Sequence, residues 1–150
     1  MKPLIVLLAV FIISITAIKL IYGVVNISLA GRIAMAAMLL FTAIGHFVFT
    51  KGMSMMLPDL VPFKTQTIYL TGLIEIAAAI GLLLPGLKHI TAWLLIVFFL
   101  LLLPANIYAA IKHVDYQKGT LEGPGMAYLW FRVPLQLLFI LWTYFSGIRF

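Results

Sequence analysis

The chain has 150 residues, with ten Lys and Arg against four Asp and Glu, a net charge of +6, and 65% hydrophobic but only 9% charged residues. A soluble domain carries about 25% charged residues, so this chain cannot solvate a globular surface, and its hydrophobicity excludes disorder. Its basic residues are scattered singly, which argues against nucleic-acid binding, and the lack of cysteine removes disulfides, thiolate nucleophiles and iron–sulfur ligation.

What remains is an integral membrane protein with little outside the bilayer. About 20 apolar residues, at about 1.5 Å each, cross a hydrocarbon core. Five stretches qualify, at 4–22, 31–50, 67–84, 91–111 and 127–146. The first has the front Lys and apolar run of a signal peptide but no small-x-small cleavage pattern, so it reads as a retained scaffold helix. Asn26 to Gly31 separates it from the second. Lys51-Gly52 and Pro58-Asp59-Leu60-Val61-Pro62 stand between the second and third, and Pro85-Gly86-Leu87-Lys88 turns the third into the fourth. The longest polar stretch, Lys112 to Gly125, precedes the fifth. The whole chain, 1–150, reads as one membrane domain, all-α. Basic residues divide five to four between the two sides, so the positive-inside rule selects no orientation.

Polar side chains inside the spans are costly; a mid-membrane Asp, Lys or Arg costs about 2.5–3.5 kcal/mol even on lenient scales. The second span has Thr42 and His46, the third Thr71 and Glu75, the fourth Pro104, Asn106 and Tyr108, the fifth Tyr128, Arg132 and Gln136. Counted from the side that holds the amino terminus, His46 lies about 6 Å deep, Asn106 and Arg132 about 7.5 Å, Glu75 about 12 Å and Gln136 about 13 Å. Four helices therefore place polar groups in one leaflet, and the other leaflet is apolar. Gly72, Ala78 and Ala79 share a helix face with Glu75 and let a neighbour approach its carboxylate. Pro104 and Pro134 free the Leu100 and Trp130 carbonyls, which is tolerated at depth only where the backbone is buried in protein or lines a cavity. The depths allow Glu75 and Arg132 to form one electrostatic unit. The connection 51–66, with Met53, Met55, Met56, Leu57, Leu60 and Phe63, is too apolar for water and reads as a lid, a re-entrant turn or an interfacial anchor.

Each residue alone also has a plain structural reading: Arg132 snorkelling, His46 bonding a carbonyl, Glu75 protonated or stapled to Arg132. Specific chemistries are weakly supported. His113 lies past the end of its span, so it does not pair with His46 for a haem. His46 and Glu75 lack a third metal ligand, and no metal is expected. Thr42 beside His46 is a poor nucleophile–base pair. A channel would need a polar path through the far leaflet.

The ordered strings Gly45-His46-Phe47, Pro58 and Pro62, Thr71-Gly72 with Glu75, Gly81-Leu82-Leu83-Leu84-Pro85, Pro104-Ala105-Asn106 and Arg132-Val133-Pro134-Leu135-Gln136 resemble the DoxX family of small membrane proteins over about residues 31–146. The resemblance implies a four-helix membrane bundle, to which the first span adds one amino-terminal transmembrane helix. It also implies, for some relatives, a place in redox complexes that pass electrons to quinone; more distant relatives act as assembly factors. The favoured expectation is a multi-pass protein of the cell (plasma or inner) membrane that binds a quinone or similar amphipathic molecule, none of it covalently held. It would serve as a membrane subunit of a quinone-linked oxidoreductase or detoxifying assembly, with a soluble redox partner or as a homo-oligomer. Glu75 would carry a proton and His46 would bond a carbonyl oxygen, as the catalytic pair. Asn106, Gln136, Thr42 and Tyr108 would line or orient the ligand, and Arg132 would hold Glu75 or stabilise a reduced, anionic form. The alternatives are a non-enzymatic scaffold or assembly factor, or a small-molecule transporter.

Overall fold

The computed structural model describes residues 2–150, and among them there are only helices and turns with one isolated bridge. The order is α1 (Lys2–Tyr22), α2 (Ile27–Val48), the short α3 (Thr50–Ser54), α4 (Lys64–Leu83), α5 (Lys88–Ile111) and α6 (Ala127–Thr143), which continues as a π-helical turn at Tyr144–Arg149. Five of these helices are long and apolar enough to cross a membrane. Most of their apolar surface points outward, as a lipid-facing bundle requires.

The second span starts at Ile27, earlier than the hydropathy implied, because Asn26 caps it: its Oδ1 accepts from the Leu29 N–H at 2.9 Å. α4 and α5 likewise begin three residues early. Their first turns are the polar strings Lys64-Thr65-Gln66 and Lys88-His89, which hydropathy counts against a span although the backbone is helical.

α2 is the central helix. α1, α4 and α6 all pack on it, while α5 joins α4 to α6. Its small residues Ala30, Gly31, Ala34, Ala36 and Ala43 are buried and let neighbours come close, and Met35, Met38 and Leu39 fill the core with Leu82, Leu95, Phe99, Leu135 and Phe139. α1 contributes a single stripe, Leu7, Ser14 and Ile18. At the end remote from the amino terminus the helices are joined closely. A Cβ on Gly31 would stand 2.8 Å from Ser146 Cβ, and one on Gly147 2.7 Å from Ala92 Cβ. Ser28 Oγ donates to the Ser146 carbonyl at 2.9 Å and Trp142 Nε1 to the Gly31 carbonyl at 3.0 Å.

At the opposite end the connections are longer and fold back over the bundle. The loop after α5 turns around Asp115, whose Oδ1 accepts from the Gln117 and Lys118 N–H groups at 3.1 and 3.2 Å. His113 is left-handed (φ 54°) and lays its ring against Gly125, where any side chain would collide with the imidazole.

Candidate ligand site

Between these loops and the mid-bundle core lies a cavity of about 370 Å³. Most of its wall is apolar, supplied by side chains such as Met38, Phe41, Leu102 and Phe139. His46, Glu75, Thr42 and Thr71 enter it from α2 and α4, and Asn106, Arg132 and Gln136 from α5 and α6. The depth argument thus grouped these side chains correctly, although it did not find how they pair.

α2 and α4 run antiparallel, and each carries a threonine four residues from an ionisable group. The two pairs interlock. Thr42 Oγ1 meets Glu75 Oε2 at 2.9 Å, Thr71 Oγ1 meets His46 Nδ1 at 2.9 Å, and His46 Nε2 lies 3.4 Å from Glu75 Oε1. Gly72 makes this approach feasible, since a Cβ there would stand 3.0 Å from His46 Cβ. The hydrogen-bond inventory fixes one proton. Thr71 Oγ1 donates to the Ile68 carbonyl at 2.8 Å, so its oxygen is left to accept; the Ile68 carbonyl itself stands 3.2 Å from Nδ1 and can only accept. Both neighbours therefore require Nδ1 to carry hydrogen, an assignment made from the bonding pattern. A further proton on the Nε2–Oε1 contact, held by either the imidazole or the carboxyl, would leave the pair neutral overall, which suits two buried groups. Thr42 Oγ1 is also 3.0 Å from the Leu39 carbonyl. Its hydroxyl can donate to a carboxylate, or turn to Leu39 and accept from a protonated carboxyl, so it serves either state.

The second polar unit is a chain across α5 and α6. Arg132 Nε donates to Asn106 Oδ1 at 3.3 Å, Asn106 Nδ2 donates to Gln136 Oε1 at 3.0 Å, and Gln136 Nε2 donates to the Phe99 carbonyl. The expectation that Arg132 holds Glu75 is therefore corrected: the carboxylate is held by His46 and Thr42, and the guanidinium by Asn106, with the Tyr128 ring 6.0 Å below it. The reason is angular. α4 packs against α2 and α5 and α6 against α5 and α2, so Arg132 meets α5 before it can reach Glu75. Near Pro104, Gln136 Nε2 takes the carbonyl of Phe99, one residue before Leu100.

Tyr108 is the expected ligand residue that lies outside the cavity. Two residues from Asn106 on a helix, it faces away from that side chain, and its hydroxyl donates to Asp59 Oδ2 at 3.3 Å. Asp59 also pairs with Lys64 Nζ at 3.0 Å. The Lys64 hydrogen bond and charge, then the Tyr108 hydroxyl, hold the Asp59 carboxyl below its ordinary range. This cluster ties the 55–63 turn to α4 and α5. Of the expected lid, Met53, Met56 and Leu57 do line the cavity, whereas Leu60 (94% exposed) and Phe63 (76%) point outward.

Several cavity residues were not anticipated. Tyr116 and Gln117, from the loop after α5, close the same end beside α3, and Gly52 is in contact with the Tyr116 carbonyl so closely that no side chain fits there. Lys2 and Pro3 bring α1 into the site as well. Thr71 was visible as a polar residue in its span but not as His46's partner; its i,i+4 spacing to Glu75, mirrored by Thr42 and His46, was the available signal.

The fold and the site together define a multi-pass helical membrane bundle with a capped, polar-ended cavity at one end. The chain belongs to the family described as a domain of unknown function, DUF8561, whose family model matches residues 35–146. The match covers α2 from its ninth residue into the π-helical turn, and so spans the His46–Glu75 and Arg132–Asn106–Gln136 groups but not α1, with the cavity's Lys2. No curated protein and no solved structure matches the chain.

Proposed function

We propose that the protein binds an amphipathic molecule with a carbonyl-bearing ring head, of the quinone type, in this cavity. The observation that carries the reading is the pairing of two separate hydrogen-bonding units, His46–Glu75 and Arg132–Asn106–Gln136, in a cavity otherwise walled by apolar and aromatic side chains. A volume of about 370 Å³ suits a substituted ring head. Bound there, a quinone supplies two-electron carrier chemistry; the chain's own groups bind and orient it. His46 and Glu75 hold one proton between Nε2 and Oε1 that either can present to a carbonyl oxygen, and Thr42 adjusts to whichever group keeps it. Arg132, already engaged with Asn106, places positive charge on the same cavity. The resemblance to the DoxX family supports this reading, and with it a place in the plasma or inner membrane as the ligand-binding subunit of a redox assembly whose electrons come from a partner.

The test is the purified protein in detergent, examined by lipid-extract mass spectrometry and by titration with a dimethoxy-methyl-benzoquinone. A co-purifying quinone, and binding weakened at least tenfold by His46→Ala or Arg132→Gln, is the expected result. An empty bundle indifferent to the quinone overturns the proposal and favours a non-enzymatic scaffold.

A further inference from the structure

The cavity has loop residues over its water end and a neighbour on its membrane side. Met53, Met56 and Leu57 from the segment after α2, and Tyr116 and Gln117 from the loop after α5, form the cap. Along the outside of the bundle, a second, wholly apolar hollow of about 220 Å³ runs between α1 and α6. It is lined by Leu4, Trp130, Phe131, Pro134, Leu135 and Leu138. The two hollows share Leu135, and their walls are made by consecutive residues: Pro3 lines the cavity and Leu4 the crevice, Arg132 the cavity and Phe131 the crevice. One layer of side chains separates them.

The helices that bound this crevice are held apart where it lies. α1 packs on α2, and Phe11 meets Trp142 edge-to-face at 5.0 Å, farther along both helices; toward the cavity end the seam between α1 and α6 is open. α6 is also locally loosened there, because Pro134, in the crevice wall, cannot donate to the Trp130 carbonyl. A crevice of this composition on a membrane-facing seam opens to hydrocarbon rather than to water.

Building on the binding site proposed above, we infer that the α1–α6 crevice is the lateral portal and tail-binding groove of the cavity, and that the ligand is a lipid whose polar head sits on the His46–Glu75 and Arg132–Asn106 groups while its apolar chain passes Leu135 into the bilayer. Continuity with the cavity identifies the occupant: the chain of the molecule whose head fills the cavity, and not a separate lipid. The head enters from the leaflet, and Leu135 is the side chain that must turn aside to admit it. This gives α1 a role beyond scaffold, as one jamb of the portal.

The experiment compares the dimethoxy-methyl-benzoquinone head alone with the same head carrying a decyl chain, both titrated against wild-type protein and against Leu4→Trp and Leu138→Trp. Both substituted residues line the crevice and neither lines the cavity. The expected result is that the decyl compound binds wild-type protein at least tenfold more tightly than the bare head, that each Trp variant removes most of that advantage, and that binding of the bare head changes less than twofold. Unchanged head binding also certifies that the variants fold. A decyl advantage that survives both substitutions overturns the portal and leaves the head site standing. Failure of the bare head to bind wild-type protein overturns the head site, and the portal with it.

Discussion

His46 and Glu75 form a buried pair, Nε2 to Oε1 3.4 Å, and each is held on its far side by a threonine from the opposite helix. The pair thus belongs to the α2–α4 contact as much as to the cavity. Removing one partner strands the other, which costs about 3–5 kcal/mol for a buried pair. His46→Ala and Glu75→Ala should each lower stability on that scale, and the double variant should cost clearly less than the sum. The same cycle on Glu75 and Arg132 should be additive within about 0.5 kcal/mol. Thermal unfolding in one detergent measures both cycles; coupling in the second and none in the first would reverse the assignment.

Gln136 joins α6 to two groups of α5. Its Oε1 accepts from Asn106 Nδ2 and its Nε2 donates to the Phe99 carbonyl. Gln136→Leu keeps the volume and leaves Asn106 Nδ2 without its acceptor in hydrocarbon, at about 1–3 kcal/mol. Gln136→Glu, when protonated, keeps an acceptor for Asn106 and an O–H donor for the Phe99 carbonyl, and its melting temperature should fall between those of Gln136→Leu and wild type.

The cap makes a labelling prediction, which the cysteine-free chain makes easy to read. Met53→Cys and Leu60→Cys should react with a water-soluble maleimide at rates differing by about tenfold or more, the second faster, because Met53 faces the cavity and Leu60 faces out. Gly52→Ala, whose Cβ would collide with the Tyr116 carbonyl, should accelerate Met53→Cys by lifting the 115–118 turn. Equal rates at positions 53 and 60 would mean that the cap is open.

Asp59 makes a pH prediction. Its carboxyl is held below the ordinary value of 3.8 by Lys64 and Tyr108. A depressed folded value means that the contribution is complete above the unfolded value and lost as pH falls through the folded one. The difference in Tm between wild type and Asp59→Asn should therefore be constant from neutral pH down to about pH 5 and should vanish only below pH 3.8. A difference that disappears between pH 5 and 7 would assign it to another group.

Hydropathy located every span, because a bilayer demands long apolar runs whatever the neighbours are. It misjudged the starts of α2, α4 and α5, where caps and charged first turns are helical yet polar. Depth along the helix grouped His46, Glu75, Asn106, Arg132 and Gln136 correctly, since rise per residue is fixed. It could not pair them, because pairing depends on the order of helices around the bundle, and a single chain's apolar runs do not encode that order. Tyr108 went astray for a different reason: it lies near the depth of Asn106, but two residues along the helix it faces another direction. Tyr116 and Gln117 were invisible because a polar loop carries no sign of which way it folds.

The glycine and serine contacts at the far end have a mechanical consequence. With Gly31 against Ser146 and Gly147 against Ala92, the helices there touch nearly backbone to backbone and have no side-chain cushion to compress. That end is a clamp, and a methyl group added at Gly31 would have to part that residue from Ser146, among residues that line neither hollow.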